Sequence, residues 1–150
     1  MFLSAQQITT AIKNGEIGIT PFLEQNIKPA SYTFTLAETI FEFEEQNELT
    51  IETKPRLRKV QIPEDGYLLQ PHTFILGSAC EHLQLNGNYL CILSTRGSCA
   101  QIGLNVLQSS LIAEPDTNNP QKLELYNANN LPVRLTKNMP LVKGIFASIQ

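Results

Sequence analysis

The spacing of apolar positions changes once along this chain, and early. Ala5, Ile8, Ala11 and Ile12 fall on one face at helical spacing, introduced by Ser4 with Gln7 three residues later. The Ser4 hydroxyl can accept from the Gln7 backbone N–H while the Gln7 side chain returns to the Ser4 N–H, a reciprocal cap. Gly15 suits the left-handed backbone that ends such a segment, so the pattern predicts a helix over 4–14. Beyond it the period shortens to two. Tyr32, Phe34 and Leu36 alternate with Thr33 and Thr35, as in a half-buried strand, and Phe41 and Phe43 alternate with glutamates. Glu44 to Glu48 reads as a solvated turn. Further turn signals stand at Pro63-Glu64-Asp65-Gly66, Asn86-Gly87, Asn127 to Asn130 and Lys137-Asn138-Met139-Pro140. Between them lie apolar runs around 67–69, 73–77, 89–93, 104–107, 123–126, 131–135 and 141–149. Many short strands behind one leading helix predict a mainly β fold, a sandwich or barrel. The 150 residues, 1–150, suit one domain, and a chain of this length can bury about 70% of its unfolded surface without covalent staples.

Composition narrows the partners. With 11 Lys+Arg against 14 Asp+Glu the net charge is −3, which supplies no basic field for nucleic acid. One anionic small molecule needs far less, an arginine and a few backbone N–H groups. Cys80, Cys91 and Cys99 are odd in number and lack C-x-x-C spacing, so they read as reduced thiols rather than a disulfide framework or zinc site. No charged-then-apolar leader opens the chain, and no apolar run reaches the ~20 residues of a membrane span. A cytoplasmic protein with no membrane partner is the expectation.

Chemistry concentrates in two places. Arg96-Gly97-Ser98 lies between a predicted strand and a predicted helical turn, Ser98 to Ile102, inside the most apolar part of the chain. Small residues there let a ligand approach the backbone, and N–H groups beside a fixed guanidinium favour a phosphate. The same triplet also serves as an ordinary turn. Glu124 stands in "KLELYN", where Leu123 and Leu125 face one way and Lys122, Glu124 and Tyr126 the other, either as a solvated strand face or as a working carboxylate. His72, in a turn after Pro71, and His82, between Glu81 and Leu83, have no triad or metal partners and read as surface residues. The motifs G-x-G-x-x-G, P-loop, H-E-x-x-H, G-x-S-x-G and the zinc-deaminase H-x-E…P-C-x-x-C are all missing from the sequence.

In order along the chain these segments resemble the dCTP deaminase branch of the dCTP deaminase/dUTPase superfamily. "LSAQQITTAIKNGEIGITPF" looks like that family's start, and "IKPASYTFTLAETIFEF" is similar to its I-x-P-[AS]-S-x-D-L-R-L-G segment. "YLLQPHTFILGSACEHLQLNGNYLCILSTRGSCAQIGL" resembles the long stretch ending in G-R-S-S-L-A-R-x-G-L, and "LELYNANNLPVRLTKNMPLVKGIFASI" its L-E-F-x-N segment. The spacing from Arg96 to Glu124 matches without a gap.

The resemblance implies a distorted β-barrel or jelly roll of the dUTPase-like type, assembled as a homotrimer with active sites at subunit interfaces and the Arg96–Gln101 segment near the boundary. It implies deamination of dCTP by water attack at C4, giving dUTP and ammonia without zinc, Mg²⁺ accompanying the triphosphate. Glu124 takes the catalytic position, Arg96, Gly97 and Ser98 the phosphate turn, and Gln101, Ser110 and Glu114 the substrate and sugar end. Four departures stand against the pattern. Gly97 replaces the serine that holds the catalytic water, and Gln101 the motif arginine. Leu111-Ile112-Ala113-Glu114-Pro115-Asp116 stands where the family has H-R-I-D-P-G, and the family's closing tail follows the position of Gln150. The expectation is therefore a dCTP deaminase. The alternatives are a nucleotide-binding or regulatory trimer whose chemistry has lapsed and a dUTP diphosphatase using Glu114 or Asp116.

Overall fold

The computed structural model describes residues 1–149. The chain runs α1 (Ala5–Lys13), β1 (Ile17–Thr20), a single 3₁₀ turn (Glu24–Asn26), β2 (Ile27–Lys28), β3 (Ser31–Thr35), β4 (Thr39–Phe43), β5 (Leu57–Gln61) and β6 (Tyr67–Leu69). It continues through β7 (Phe74–Leu85), β8 (Tyr89–Thr95), α2 (Gly97–Ala100), β9 (Leu104–Asn105), β10 (Ile112–Ala113), β11 (Asn118–Asn127), β12 (Val133–Leu135) and β13 (Pro140–Ser148). One sheet has the order β5-β4-β7-β11-β9 with β1 also on β7; the second is β10-β8-β13-β3-β2; β12 and β6 form a small third. All strand pairings are antiparallel among the described residues.

The capping box is present in full, Ser4 Oγ accepting from Gln7 N at 3.3 Å and Gln7 Oε1 from Ser4 N at 2.9 Å. Gly15 follows at φ +74, a conformation that costs other residues strain. The helix buries Ile8 and Ala11 and leaves its polar face in solvent.

One hydrophobic cluster draws on both large sheets: Phe34 and Phe146 from one, Ile40, Ile75, Leu123 and Leu125 from the other. Each such side chain contributes about 1.5–3 kcal/mol when fully buried. The packing is close enough to dictate Gly144. A Cβ there would sit 2.5 Å from Phe34 Cε2 and 2.9 Å from Cys91 Sγ, so only glycine lets β13 pass. Asn127 closes β11 from inside the core: its amide donates to the Leu69 and Leu131 carbonyls and accepts from Asn129 N, which fixes the turn that the asparagine run signalled.

Three local readings change. β3 does not alternate, because Ser31 and Thr33 are buried along with Tyr32 and Phe34; the strand lies between β13 and β2 with Glu81 of β7 bound to its Thr35. β7 extends twelve residues rather than the five of its apolar run, since Ser78, Ala79 and Cys80 are small enough to pass beneath neighbours without looking like strand formers. β5 carries only Leu57 and Val60 as apolar contacts on an outer position of its sheet, too little to stand out as an apolar run.

Candidate functional site

Glu124 sits near the middle of the first sheet. Its Cα partners are Leu76 on β7 and, through a parallel bridge, Leu107, and its N–H donates to the Val106 carbonyl at 3.0 Å. Upstream, Pro120 lacks an N–H, and the β11–β7 register shifts between Pro120 and Lys122. Such a bulge re-aims the side chains that follow. Beyond it the alternation is regular: Leu123 and Leu125 enter the core while Lys122, Glu124 and Tyr126 share the other face.

That face is not the solvated surface a bare strand would present. Glu124 lines a cavity of about 490 Å³ together with Ser78, Leu93, Ser110, Ile112, Asn119 and Lys122, among others. On its other side a more apolar hollow of about 450 Å³ is walled by Phe41, Leu57, Leu76 and Leu123, and shares Ser78, Lys122 and Glu124 with the first. Glu124 Oε2 is shut off from solvent and has no hydrogen-bond partner among the described residues. Burial therefore pushes the Glu124 carboxyl above the usual carboxylate range; a hydrogen bond from its own backbone and the charge of Lys122 pull the other way. A desolvated oxygen without a donor costs about 1–3 kcal/mol. A carboxyl group so placed can accept a proton and return it within one reaction.

The arginine turn is built as its sequence reads, slightly shifted. α2 spans Gly97–Ala100 rather than 98–102, with Arg96 at its N-cap in extended conformation. Arg96 N donates to the Leu141 carbonyl and its own carbonyl accepts from Cys99 and Ala100. Gly97 and Ser98 are exposed. Gly97 is absent from the positive-φ residues, and a Cβ there would meet nothing within 4 Å. Cys99, beside Ser98, is buried and donates its thiol to the Pro140 carbonyl at 3.6 Å.

Within one chain Ser110 lines the Glu124 cavity, whereas Arg96, Gly97, Ser98, Gln101 and Glu114 do not. The two regions are nonetheless joined by backbone. Thr95 Oγ1 accepts from Val106 N at 3.4 Å, and the Val106 carbonyl accepts from Glu124 N. Glu114 and Asp116 are exposed; the Glu114 carbonyl caps Thr117, and Asp116 lies at φ +63. Ala113 of the same segment is buried as β10 pairs with β8.

The other titratable groups are accounted for locally. His72 and His82 are exposed, bonded to Asn130 and Asn118. All three cysteines are free, and burial pushes the Cys91 thiol far up. Among the described residues no three His, Cys, Asp or Glu side chains gather as a metal ion would require, and no helix is long and apolar enough to cross a membrane.

Two things escaped the sequence reading. Lys122 shares the Glu124 cavity, and its place two residues away on the same strand face was the available signal. Glu81, only 2% exposed, is the other: its two oxygens accept from Thr35 N and Thr35 Oγ1, both at 2.7 Å. Nothing in "ACEHL" marked it as buried beyond its place in step with Ala79 and Leu83.

Relatives match this chain in sequence, and solved structures share its fold. The chain is 28% identical over 149 residues to a dUMP-forming dCTP deaminase of Hydrogenobaculum sp., covering 99% of this chain and 83% of the relative. It is 30% identical over 144 residues to another dUMP-forming dCTP deaminase, from Corynebacterium kroppenstedtii, covering 93% and 77%. The fold superposes on the 2'-deoxycytidine 5'-triphosphate deaminase of Agrobacterium tumefaciens with a TM-score of 0.77 at 14% identity, over 97% of this chain but 47% of that one, about half its length. The dUTPase of Staphylococcus bacteriophage 80alpha, solved with dUpNHpp, shares the fold at a TM-score of 0.55 and 10% identity, over 89% of this chain and 83% of that one. The architecture is thus the dUTPase-like one, mainly β with a short N-terminal helix. A family model described as dCTP deaminase-like matches residues 2–149, and with sequence pattern and fold in agreement over that length, the chain belongs to the dCTP deaminase-like family.

Proposed function

We propose that this protein is a cytoplasmic, metal-independent dCTP deaminase with Glu124 as its proton-transferring residue. Water adds to C4 of the cytosine ring. Glu124 passes one proton of the water to ring N3 and then the C4 hydroxyl proton to the amine; C4–N breaks as C4=O forms, and ammonia and dUTP leave. Arg96, Gly97 and Ser98 hold the triphosphate, which would arrive with its Mg²⁺, while Gln101, Ser110 and Glu114 serve the base and sugar end. The single observation that carries this reading is the Glu124 carboxyl: half-buried in a cavity of about 490 Å³, with one oxygen unpartnered among the described residues.

One chain does not bring the Arg96 turn to that cavity, so the working unit is a homotrimer in which a neighbouring copy supplies it. Leu111 and Ile112 at the cavity side are 42% and 55% exposed, apolar surface that a second subunit would cover. Incubating the purified protein with dCTP, dUTP and their monophosphates and resolving the products tests the reaction; light scattering tests the assembly. Release of dUTP and ammonia from dCTP supports the reading, and intact dCTP overturns it. Release of dUMP instead would assign the phosphate hydrolysis to a carboxylate such as Glu114 or Asp116.

A second reading, a nucleotide-binding trimer whose chemistry has lapsed, is favoured by one observation. The segment beside the cavity presents Leu111 and Ile112 where a deaminase would place histidine and arginine, and Gln101 is exposed and uncharged. It expects a deoxynucleoside triphosphate with Mg²⁺ to raise the melting temperature without turnover, since ligand bound only to the folded state stabilises by RT ln(1 + [L]/Kd). Arg96→Ala would remove that rise.

A further inference from the structure

Among the described residues Lys122 is the one cation that lines the cavity at Glu124, and it also lines the neighbouring apolar hollow. Its place follows from the strand. Residues two apart stand on one face about 7 Å apart, and the irregularity between Pro120 and Lys122 sets which face that is. Lys122 has no carboxylate partner of its own: the ion pairs among the described residues are Arg58–Glu42 and Lys137–Glu64.

The other groups around Glu124 leave its charge unanswered. β7 contributes Leu76, Gly77 and Ser78 to the walls, β8 Leu93, β10 Ile112, and β4 and β5 Phe41 and Leu57, none of them titratable. The titratable residues of β7 lie elsewhere: Cys80 and the buried Glu81 beside Thr35, and His82 against Asn118. On β9, Asn105 faces Tyr126. On the Glu124 face of β11 itself the neighbours are Lys122 and Tyr126. A half-buried carboxylate with an unpartnered oxygen and an exposed cation lining the same cavity is an arrangement in which that cation eases ionisation of the carboxylate.

We propose that Lys122 is the positioning residue of the Glu124 site, its ammonium offsetting the cost of ionising Glu124 and so keeping the carboxylate able to accept a proton. Its importance to the reaction rests on the deaminase reading above; its action on Glu124 does not. Lys122 acts through charge across the cavity rather than through a direct ion pair, so a lysine or an arginine serves and a neutral side chain does not. Because the side chain is exposed, the interaction is also open to screening by salt.

The test follows the Glu124 carboxyl itself. Its side-chain ¹³C signal is titrated by NMR in the full chain, in Lys122→Met, Lys122→Arg and Lys13→Met, after thermal melts establish that each is folded; Lys122→Gln replaces the methionine variant if that does not fold. The midpoint is expected to rise in Lys122→Met, to stay at the wild-type position in Lys122→Arg and Lys13→Met, and to differ less from wild type at 1 M than at 0.1 M salt. The acid limb of any dCTP turnover should move to higher pH in Lys122→Met and return in Lys122→Arg. An unchanged Glu124 midpoint in Lys122→Met overturns the proposal, as does a rise that arginine fails to reverse. Absence of turnover in the wild type, with the midpoint still responding to Lys122, overturns the deaminase reading and supports this one.

Discussion

Two carboxylates on neighbouring strands of one sheet, Glu81 on β7 and Glu124 on β11, show how burial alone separates into two meanings. Glu81 is the more deeply enclosed, yet Thr35 satisfies both of its oxygens through backbone and hydroxyl donors. Glu124 is less enclosed and less satisfied, one oxygen being shut off from solvent with no hydrogen-bond donor among the described residues. Burial pushes both carboxyl groups up, but at Glu81 the donors of Thr35 pull back, while at Glu124 the opposing effects are a local backbone contact and a free lysine. Glu81 ties β7 to β3 across the two sheets. Its hydrogen bonds are consumed by the fold. The Glu124 oxygen is uncommitted beside a cavity, which is where a proton-transfer group has to be. Unspent hydrogen-bonding capacity at a cavity, rather than depth of burial, is what makes Glu124 the proposed proton-transfer group.

The comparison is broken most strongly by Glu124→Gln. If the protein deaminates dCTP, an amide in place of the carboxyl should lower turnover by about 10²–10⁴-fold, the range for loss of a general acid–base group. Its unfolding midpoint should stay near the wild-type value or rise, because an amide carries no charge to desolvate. Steady-state kinetics with dCTP alongside urea melts check both halves.

Glu81→Ala should do the reverse. Removing the acceptor leaves Thr35 N–H and Oγ1 without their partner in a half-buried place, at a cost of about 1–3 kcal/mol. For a chain of this size that lowers the melting temperature by roughly 2–4 °C per kcal/mol. Turnover per folded molecule should be unchanged, and a large loss of turnover in folded protein would refute the division of roles.

The two carboxyls also act together on stability against pH. Both hold their proton to higher pH in the folded than in the unfolded chain. Between the ordinary glutamate value and the raised folded one, unfolding releases protons. Stability carried by these groups is therefore full below the ordinary value and lost as pH rises through the folded one. Urea midpoints recorded from pH 4 to 7 should fall less steeply in Glu81→Gln/Glu124→Gln than in wild type. Equal slopes would show that the folded chain does not hold these protons.

The smallest effect is expected at the arginine turn. Gly97→Ser meets no atom within 4 Å and needs no left-handed backbone, so its stability should stay within about 0.5 kcal/mol of wild type. Paired with Gln101→Arg it should raise any dCTP turnover, since serine on this segment supplies a donor for the attacking water and arginine a cation toward the base and sugar end. A folded double variant with unchanged turnover would remove that segment from the proposed reaction.

The sequence by itself determined what depends on neighbours along the chain. The capped helix, the turns at Asn127 and Asn138, and the inward Leu123 and Leu125 opposite Glu124 all follow from short-range pattern, because caps, turns and strand alternation are settled within a few residues. The order of the motif segments also carried the family, which the match over residues 2–149 bears out. Only the tertiary structure decided what depends on distant segments. Glu81 is buried because Thr35, 46 residues away, reaches it from β3, and no local pattern encodes that partner. The twelve-residue β7 became legible only once small residues such as Ser78 and Gly77 were seen to admit the strands beside them. Likewise the Glu124 cavity forms where Ser78, Leu93 and the pair Ser110 and Ile112 converge from three separate stretches. A carboxylate's solvation is a property of the space that remote residues leave around it, and that space exists only after both sheets are in place.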